Sequence, residues 1–232
     1  MMLLTSRSFE EYAAFFGLDA DRLPDRVLDC GGGASSFVAG ACARGVDAIA
    51  ADPVYVHDEQ RLLEAGIAGA TGGANLITAH QDRFTYAWYG SAERRDTMRA
   101  TAAEIFHEHR HQHPERYVAA SLPALPFTDQ AFELALCSHL LFTWADRFDE
   151  RWHLDSLVEL CRVAAEVRVF PLALQGSGEP IRFLPGLRRR LHAEFGITSQ
   201  ITDVAYEFQI GAHHMLTLSP DGPASSVTRT SS

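Results

Sequence analysis

The sequence contains no lysine: its cations are 20 arginines, set against 30 aspartates and glutamates for a formal charge of −10. An acidic balance of that size opposes a phosphate backbone unless the arginines cluster, so nucleic acid is disfavoured as a partner. Also missing is any CxxC pair; Cys30, Cys42, Cys137 and Cys161 each stand alone in apolar segments. That is the pattern of buried reduced thiols, not of a disulfide framework or a thiolate metal centre. No apolar run approaches the roughly 20 residues of a bilayer span. The opening MMLLTSRSFEEY lacks the apolar core of a signal peptide, so a cytoplasmic protein without a membrane partner is expected. Internal repeats are absent, which excludes solenoids and propellers.

What is present is a chain of 232 residues with 47% hydrophobic and 22% charged residues, enough apolar material for one large core. The reading is a single domain over residues 1–218 and a polar, flexible tail over 219–232. Apolar runs alternate with helical patterns from the start. Residues 8–18 carry Phe9, Tyr12, Ala13 and Phe16 on one face and stop at Gly17, a short capping helix. RVLDC, closed by Gly31–Gly33, is a strand running through a glycine turn into a helix over ASSFVAGACARG. VDAIAADP is a second buried strand, and HDEQRLLEAG opens the next helix. Residues 79–114 break the rhythm; the long polar stretch with scattered aromatics predicts two exposed helices inserted as a lid. RYVAAS, AFELALCS and EVRVFPLAL supply three further strands, with a helix over LDSLVELCRVA, a helix ending at Gly196, and two last strands within residues 201–219 joined by a short turn at Gly211. Six helices around seven strands make a doubly wound α/β sheet that closes with an antiparallel pair.

The sharpest chemical signal is the turn itself. Glycine is needed where a ligand approaches the backbone more closely than a Cβ allows, and ligands of open α/β sheets sit at that place. Asp52, at the tip of the second strand, can accept two hydrogen bonds from a ribose diol. Reading G-x-G-x-x-G from Gly31 gives Gly31, Gly33 and then Ser36, a poor dinucleotide fingerprint, and Asp29 beside the turn opposes a pyrophosphate. An acid there suits a cationic ligand.

These residues resemble the class I S-adenosylmethionine-dependent methyltransferases, whose first motif is a strand ending in D-x-G-x-G. A second match is L-P-F-T-D-Q-A-F-E over residues 125–133, running into a strand that ends at Ser138-His139. The resemblance spans roughly residues 9–218 and implies a Rossmann-like fold with S-adenosylmethionine as cofactor. It implies that Asp29, Gly31 and Gly33 surround the methionyl part, that Asp52 holds the ribose hydroxyls, and that Ser138 and His139 form the floor near the sulfonium. Where many members carry an acid for the adenine amino group, this chain has Ser121, so the resemblance implies that recognition there leans on backbone groups at Ser121 and Leu122; Glu133 stands for the usual Asp. The implied activity is methyl transfer to a small molecule. Two alternatives stay open: cyclisation of the cofactor's own aminocarboxypropyl chain with release of methylthioadenosine, and a non-catalytic protein that only binds the cofactor.

The main task of such an enzyme is to align a nucleophile with one C–S bond. His139 is the best-placed base, weighed against a purely structural histidine. Tyr12, Phe142, Trp144, Tyr86, Trp88 and Tyr89 can offer ring faces to a sulfonium. Tyr86, Trp88, Tyr89 and Phe142 are read as lining the lid and acceptor space, with simple anchoring as the alternative for the first three. His107, His109, His111 and His113 alternate along a helix and point to different faces, so they read as solvated, and no metal site is assigned. Arg188, Arg189 and Arg190 lie near a helix end, where cations complement the dipole.

Overall fold

Two layers of apolar side chains leave alternate residues of each central strand, and the helices cover both. The computed structural model describes residues 4–220. Its strands are β1 (Arg26–Cys30), β2 (Asp47–Ala51), β3 (Tyr117–Val118), β4 (Phe132–Ser138), β5 (Ala164–Phe170), β6 (Ile197–Asp203) and β7 (His214–Pro220). They form one seven-stranded sheet in the order β3-β2-β1-β4-β5-β7-β6. β1 to β5 pair in parallel, and β7 runs antiparallel to both β5 and β6. This is the Rossmann-like mixed sheet with an antiparallel last strand that the sequence predicts.

Leu28 of β1 with Ala135 and Cys137 of β4 face one core layer, while Val27 with Leu134 and Leu136 face the other. That alternation is the period of a strand buried on both faces. The first layer is closed by α5 (Glu150–Val163) and α6 (Leu184–Phe195), the second by α1 (Phe9–Phe16), α2 (Phe37–Cys42) and α4 (Ala92–Gln112). α1 starts with a full capping box: Ser8 Oγ accepts from the Glu11 N–H at 3.1 Å and Glu11 Oε2 accepts from the Ser8 N–H at 2.8 Å. It ends at Gly17 in the left-handed region, as read from the sequence. Gly40 lets α1 lie directly on α2, since a Cβ there would sit 2.7 Å from Phe9.

Three elements depart from the sequence reading. The helix that HDEQRLLEAG opens runs far beyond that stretch, as α3 (Glu59–Ala79). Gly69 in its middle is a packing residue, because a Cβ there would lie 1.9 Å from the Leu4 carbonyl oxygen. Residues 79–114 accordingly hold one long helix, α4, after an irregular loop, not two. β6 and β7 are joined by residues 204–213 and not by a short turn, because Tyr206 and Phe208 leave the strand to pack in the second core layer. β7 also extends to Pro220, so Ser219 and Pro220 belong to the sheet and not to a tail; the rest of the expected tail lies outside the described residues.

Candidate functional site

β1 sits between β2 and β4, so the order of the parallel strands switches sides at it and a crevice is expected beyond its carboxyl end. There Gly31 and Gly33 take φ of 78° and 56°, values that explain glycine at both positions. The space a Cβ would fill is taken by the chain's own side: Leu140 Cδ2 lies 2.9 Å from the Cβ position of Gly31. The Thr5 carbonyl oxygen and Leu4 Cδ1 lie 3.2 and 3.3 Å from that of Gly33. The segment Leu4–Arg7 is tied to the turn by the Ala34 N–H on Thr5 O at 3.3 Å and the Ser36 N–H on Arg7 O at 2.9 Å.

Asp29 is only 1% exposed and accepts from Tyr12 Oη–H at 3.0 Å and Ser35 Oγ–H at 3.1 Å. Burial, opposed only by these neutral hydroxyls, pushes its carboxyl up to about 7. Asp29 and Tyr12 thus brace the turn from beneath, each bonded to the other. Tyr12 is itself buried, stacked on Phe37 at 4.8 Å. Asp52 is half-buried at the tip of β2; one oxygen accepts from the Gly33 N–H and the other from the Val54 N–H, each at 3.0 Å. Its pKa is raised by burial, with the two N–H groups pulling the other way. Ser121 is exposed after β3, and the Leu122 side chain is buried in the first core layer.

At the end of β4, Ser138 Oγ and His139 Nδ1 lie 2.8 Å apart, and the His139 N–H donates to Phe170 O at 2.7 Å. His139 has φ of 51°, and burial with Arg7 and Arg99 nearby holds its pKa well below the usual value. It is neutral at pH 7 and lines a cavity with about 100 Å³ of water-accessible space. Other walls come from Thr5, Arg7, Leu76 and Ile77 of α3, Arg95 and Arg99 of α4, Thr143, Trp144, Phe170, Tyr206 and Phe208. A wider groove of about 490 Å³ between α3 and α4 shares Thr5, Gly73, Ile77, Arg95 and Arg99 with it.

Behind this wall lies a buried ionic cluster. Glu11 Oε1 accepts from Arg99 Nη2 at 3.1 Å, from Arg7 Nη1 at 3.5 Å and from the Tyr89 hydroxyl, which also meets Tyr206 Oη at 2.7 Å. Burial raises the Glu11 pKa, but Arg99, Arg7 and Tyr89 together outweigh it and the net shift is downward. The lid aromatics therefore divide. Tyr89 is an anchor, Trp88 packs edge-on against Tyr89 and Tyr206, and Tyr86 lines the α3–α4 groove. Phe142 is core, stacked on His153 at 5.6 Å, and does not line the cavity as predicted; Trp144 does.

Arg7, Glu11, Arg95, Arg99, Tyr206 and Phe208 escaped the sequence reading. One signal was available: Arg95, Arg99, Ala102 and Phe106 fall at helical spacing, and Arg95, Ala102 and Phe106 are buried positions of α4. Two arginines on the inward stripe of a helix are the mark of an internal charge site. The four histidines around α4 do not gather into one cluster: His109 bonds Tyr117 Oη at 2.8 Å with the His113 ring 4.8 Å away, and His111 stays exposed. Arg188 bonds Ser199 and Arg190 pairs with Glu194, so this run is only partly solvated. All four cysteines are free, and burial pushes Cys137 and Cys161 up to about 12. Asp203, His213 and His214 do bring one ligand atom each within 4.8 Å of one another at the β6–β7 end. Both Nδ1 atoms are taken there, by Glu207 at 3.1 Å and by Asp203 at 2.7 Å. Among the described residues no helix is long and apolar enough to cross a membrane.

No family model matches the chain. An uncharacterized protein of Methanocaldococcus jannaschii (MJ0045) is 25% identical over 219 residues, covering 92% of this chain and 94% of the relative. Among solved structures, TnmH is 12% identical with a TM-score of 0.47, covering 91% of this chain, which spans 53% of TnmH. The magnesium protoporphyrin IX methyltransferase of Synechocystis, solved with bound S-adenosylmethionine, is 11% identical with a TM-score of 0.45, covering 92% of this chain and 78% of that one. A SAM-dependent methyltransferase from Aquifex aeolicus is 13% identical with a TM-score of 0.42, over 90% of this chain and 94% of that one. The fold assignment itself stands on the strand order described above.

Proposed function

We propose that the chain is an S-adenosylmethionine-dependent methyltransferase acting on a small-molecule acceptor, with the cofactor at the glycine turn and the acceptor in the adjoining cavity. The observation that carries this reading is the end of β4. Consecutive residues serve both places: Leu140 lies over Gly31, while His139 forms cavity wall. A ligand on the turn therefore has its reacting end at the mouth of the cavity.

The residues fit the cofactor in kind. Gly31 and Gly33 give backbone access, Asp52, each of whose oxygens accepts one backbone N–H, has acceptor capacity left for the ribose diol, and Ser121 stands at the adenine end. In this conformation Leu140 and Leu4–Thr5 fill the cradle, so binding requires that they move aside. The bound cofactor would supply an electrophilic methyl carbon. The chain's own part is to orient the acceptor, exclude water and take up a proton. With His139 Nδ1–H donating to Ser138 Oγ, Nε2 carries the lone pair that a base needs, and its low pKa keeps that lone pair free at neutral pH. The lid in this reading is α3 with the following loop and the first two turns of α4, residues 59–99, in place of 79–114.

Calorimetric titration of the full chain with S-adenosylhomocysteine tests the proposal. Binding is expected, weakened about tenfold in Asp52→Asn, which loses one charge-assisted acceptor worth ~1.4 kcal/mol. Hydrogen exchange in residues 59–99 is expected to slow with the ligand. Absence of binding, or an unchanged constant in a folded Asp52→Asn protein, overturns the reading.

A further inference from the structure

The cavity beside His139 is charged in a way the rest of the chain is not. Among the described residues, five buried side-chain polar atoms have no partner: Arg7 Nε, Arg95 Nε, Thr143 Oγ1, Ser156 Oγ and Thr202 Oγ1. The first three belong to residues that line this one cavity. Native proteins rarely leave buried donors unpaired, and a cluster of them around one space marks a place where a ligand completes the bonding.

The sign of the charge identifies that ligand. Arg7, Arg95 and Arg99 reach the wall, and no lining residue is acidic, although acids outnumber arginines 30 to 20 in the sequence. Behind the wall only Glu11 is buried, and its Oε1 is already shared by Arg7, Arg99 and Tyr89. Arg95 has only Asp96, at 2.6 Å, whose side chain is 66% exposed. The Arg95 and Arg99 guanidinium carbons lie 4.8 and 5.8 Å from the centre of one ring, Phe208. Like charges held this close in a poorly solvated site repel unless an anion joins them. Trp144, Phe170 and Phe208 give the cavity flat apolar wall, beside the uncharged polar Gln175, Tyr206 and Gln209.

We infer that this cavity binds a small organic anion, with a carboxylate or phosphate group on Arg7, Arg95 and Thr143 and a ring-sized apolar body against Trp144 and Phe208. The inference deepens the proposed function by naming the acceptor's chemical class, and it rests on reading the cavity as the acceptor site.

The test is titration of the full chain, at constant ionic strength in chloride, with benzoate, phenyl phosphate and the neutral benzamide. At least one anion is expected to bind at least tenfold more tightly than benzamide, and the stronger of the two shows which group the site takes. Arg95→Gln, on the surface helix α4, is expected to weaken the anion tenfold or more and to leave benzamide unaffected. Thr143→Val removes a hydroxyl that has no partner, so it preserves the fold and is expected to weaken the anion several-fold. Equal binding of benzamide, no binding of either anion, or unchanged anion binding in both variants overturns the inference. A parallel titration with S-adenosylhomocysteine keeps the two readings separate. Anion binding without it leaves this site standing and sinks the methyltransferase reading, and the reverse pattern does the opposite.

Discussion

The glycine turn and the cavity lie on either side of the segment Leu4–Arg7, and they treat buried charge in opposite ways. On the turn side the polar groups are satisfied internally by neutral partners: Asp29 by Tyr12 and Ser35, Asp52 by two backbone N–H groups, and Tyr55 by Gly33 O. On the cavity side, charge meets charge around Glu11, and cationic groups are left over. The two buried carboxylates record the difference, since Asp29 is raised to about 7 while Glu11 is lowered. A self-satisfied turn has to be opened by its ligand, whereas an unsatisfied cavity is already set to receive one.

The largest expected effect comes from breaking the cavity side. Glu11 is fully buried, serves the α1 capping box and is the buried carboxylate of the arginine cluster. Glu11→Ala leaves guanidiniums without a buried counter-charge, a change that costs ~3–5 kcal/mol. Urea unfolding at pH 7 measures it. Benzoate or phosphate is expected to return part of the loss, because a ligand that binds only the folded state stabilises it by mass action. A Glu11→Ala protein as stable as the parent would show that the cluster is not what holds α1, α4 and the residue 204–213 loop together.

Next in size is the turn side, where the sign reverses. Asp29 is raised from 3.8 to about 7, so the folded state binds a proton that the unfolded chain has released. Its contribution is fully present below pH ~4 and is lost as pH rises toward 7, a span of ~4 kcal/mol if other groups are held equal. Asp29→Asn removes this slope while keeping an acceptor for Tyr12. Stability against pH is therefore expected to be flatter between 4 and 7 in the variant, and parallel curves would place the titration elsewhere.

The same contrast explains what could be read in advance. The turn is local: Asp29, Gly31, Gly33 and Asp52 fall within one β-α-β unit, and their spacing carries the geometry. The central strands follow from apolar runs of the right length; their order in the sheet does not. The cavity is assembled from six separate stretches, around residues 5–7, 73–77, 84–99, 139–144, 170–175 and 206–212, and no short pattern joins them. The bracing of the turn is hidden for a related reason: Asp29 and Tyr12 each turn to the other, a pairing across residues 12 and 29 that spacing cannot show. The extent of α3 is hard to read because its second half holds Gly69, Gly72 and Gly73, of which Gly69 is a contact.

That contact gives a smaller effect that probes the wall between the two sides. A methyl at Gly69 would overlap the Leu4 carbonyl, so Gly69→Ala forces α3 away from the N-terminal segment. The expected cost is ~1–3 kcal/mol, as for other overpacked sites. Faster hydrogen exchange in residues 59–79 is expected to accompany it, and unchanged exchange would mean that α3 is held in place by other contacts.

Gly66 offers the smallest effect and the opposite sign. It lies one turn earlier in the same helix, its φ is ordinary for a helix, and a Cβ built on it meets nothing within 4 Å. Glycine inside a helix costs ~0.5–1 kcal/mol relative to alanine, through the backbone freedom it has when unfolded. Gly66→Ala is therefore expected to stabilise α3 by about that amount, seen as slower exchange in residues 59–79 and little change in global unfolding. Because the methyl points into open space, the cavity beside His139 keeps its walls and its preference for anions is expected to be unchanged. If Gly66→Ala and Gly69→Ala shift exchange in the same direction, the close approach of α3 to Leu4 is not what distinguishes the two glycines.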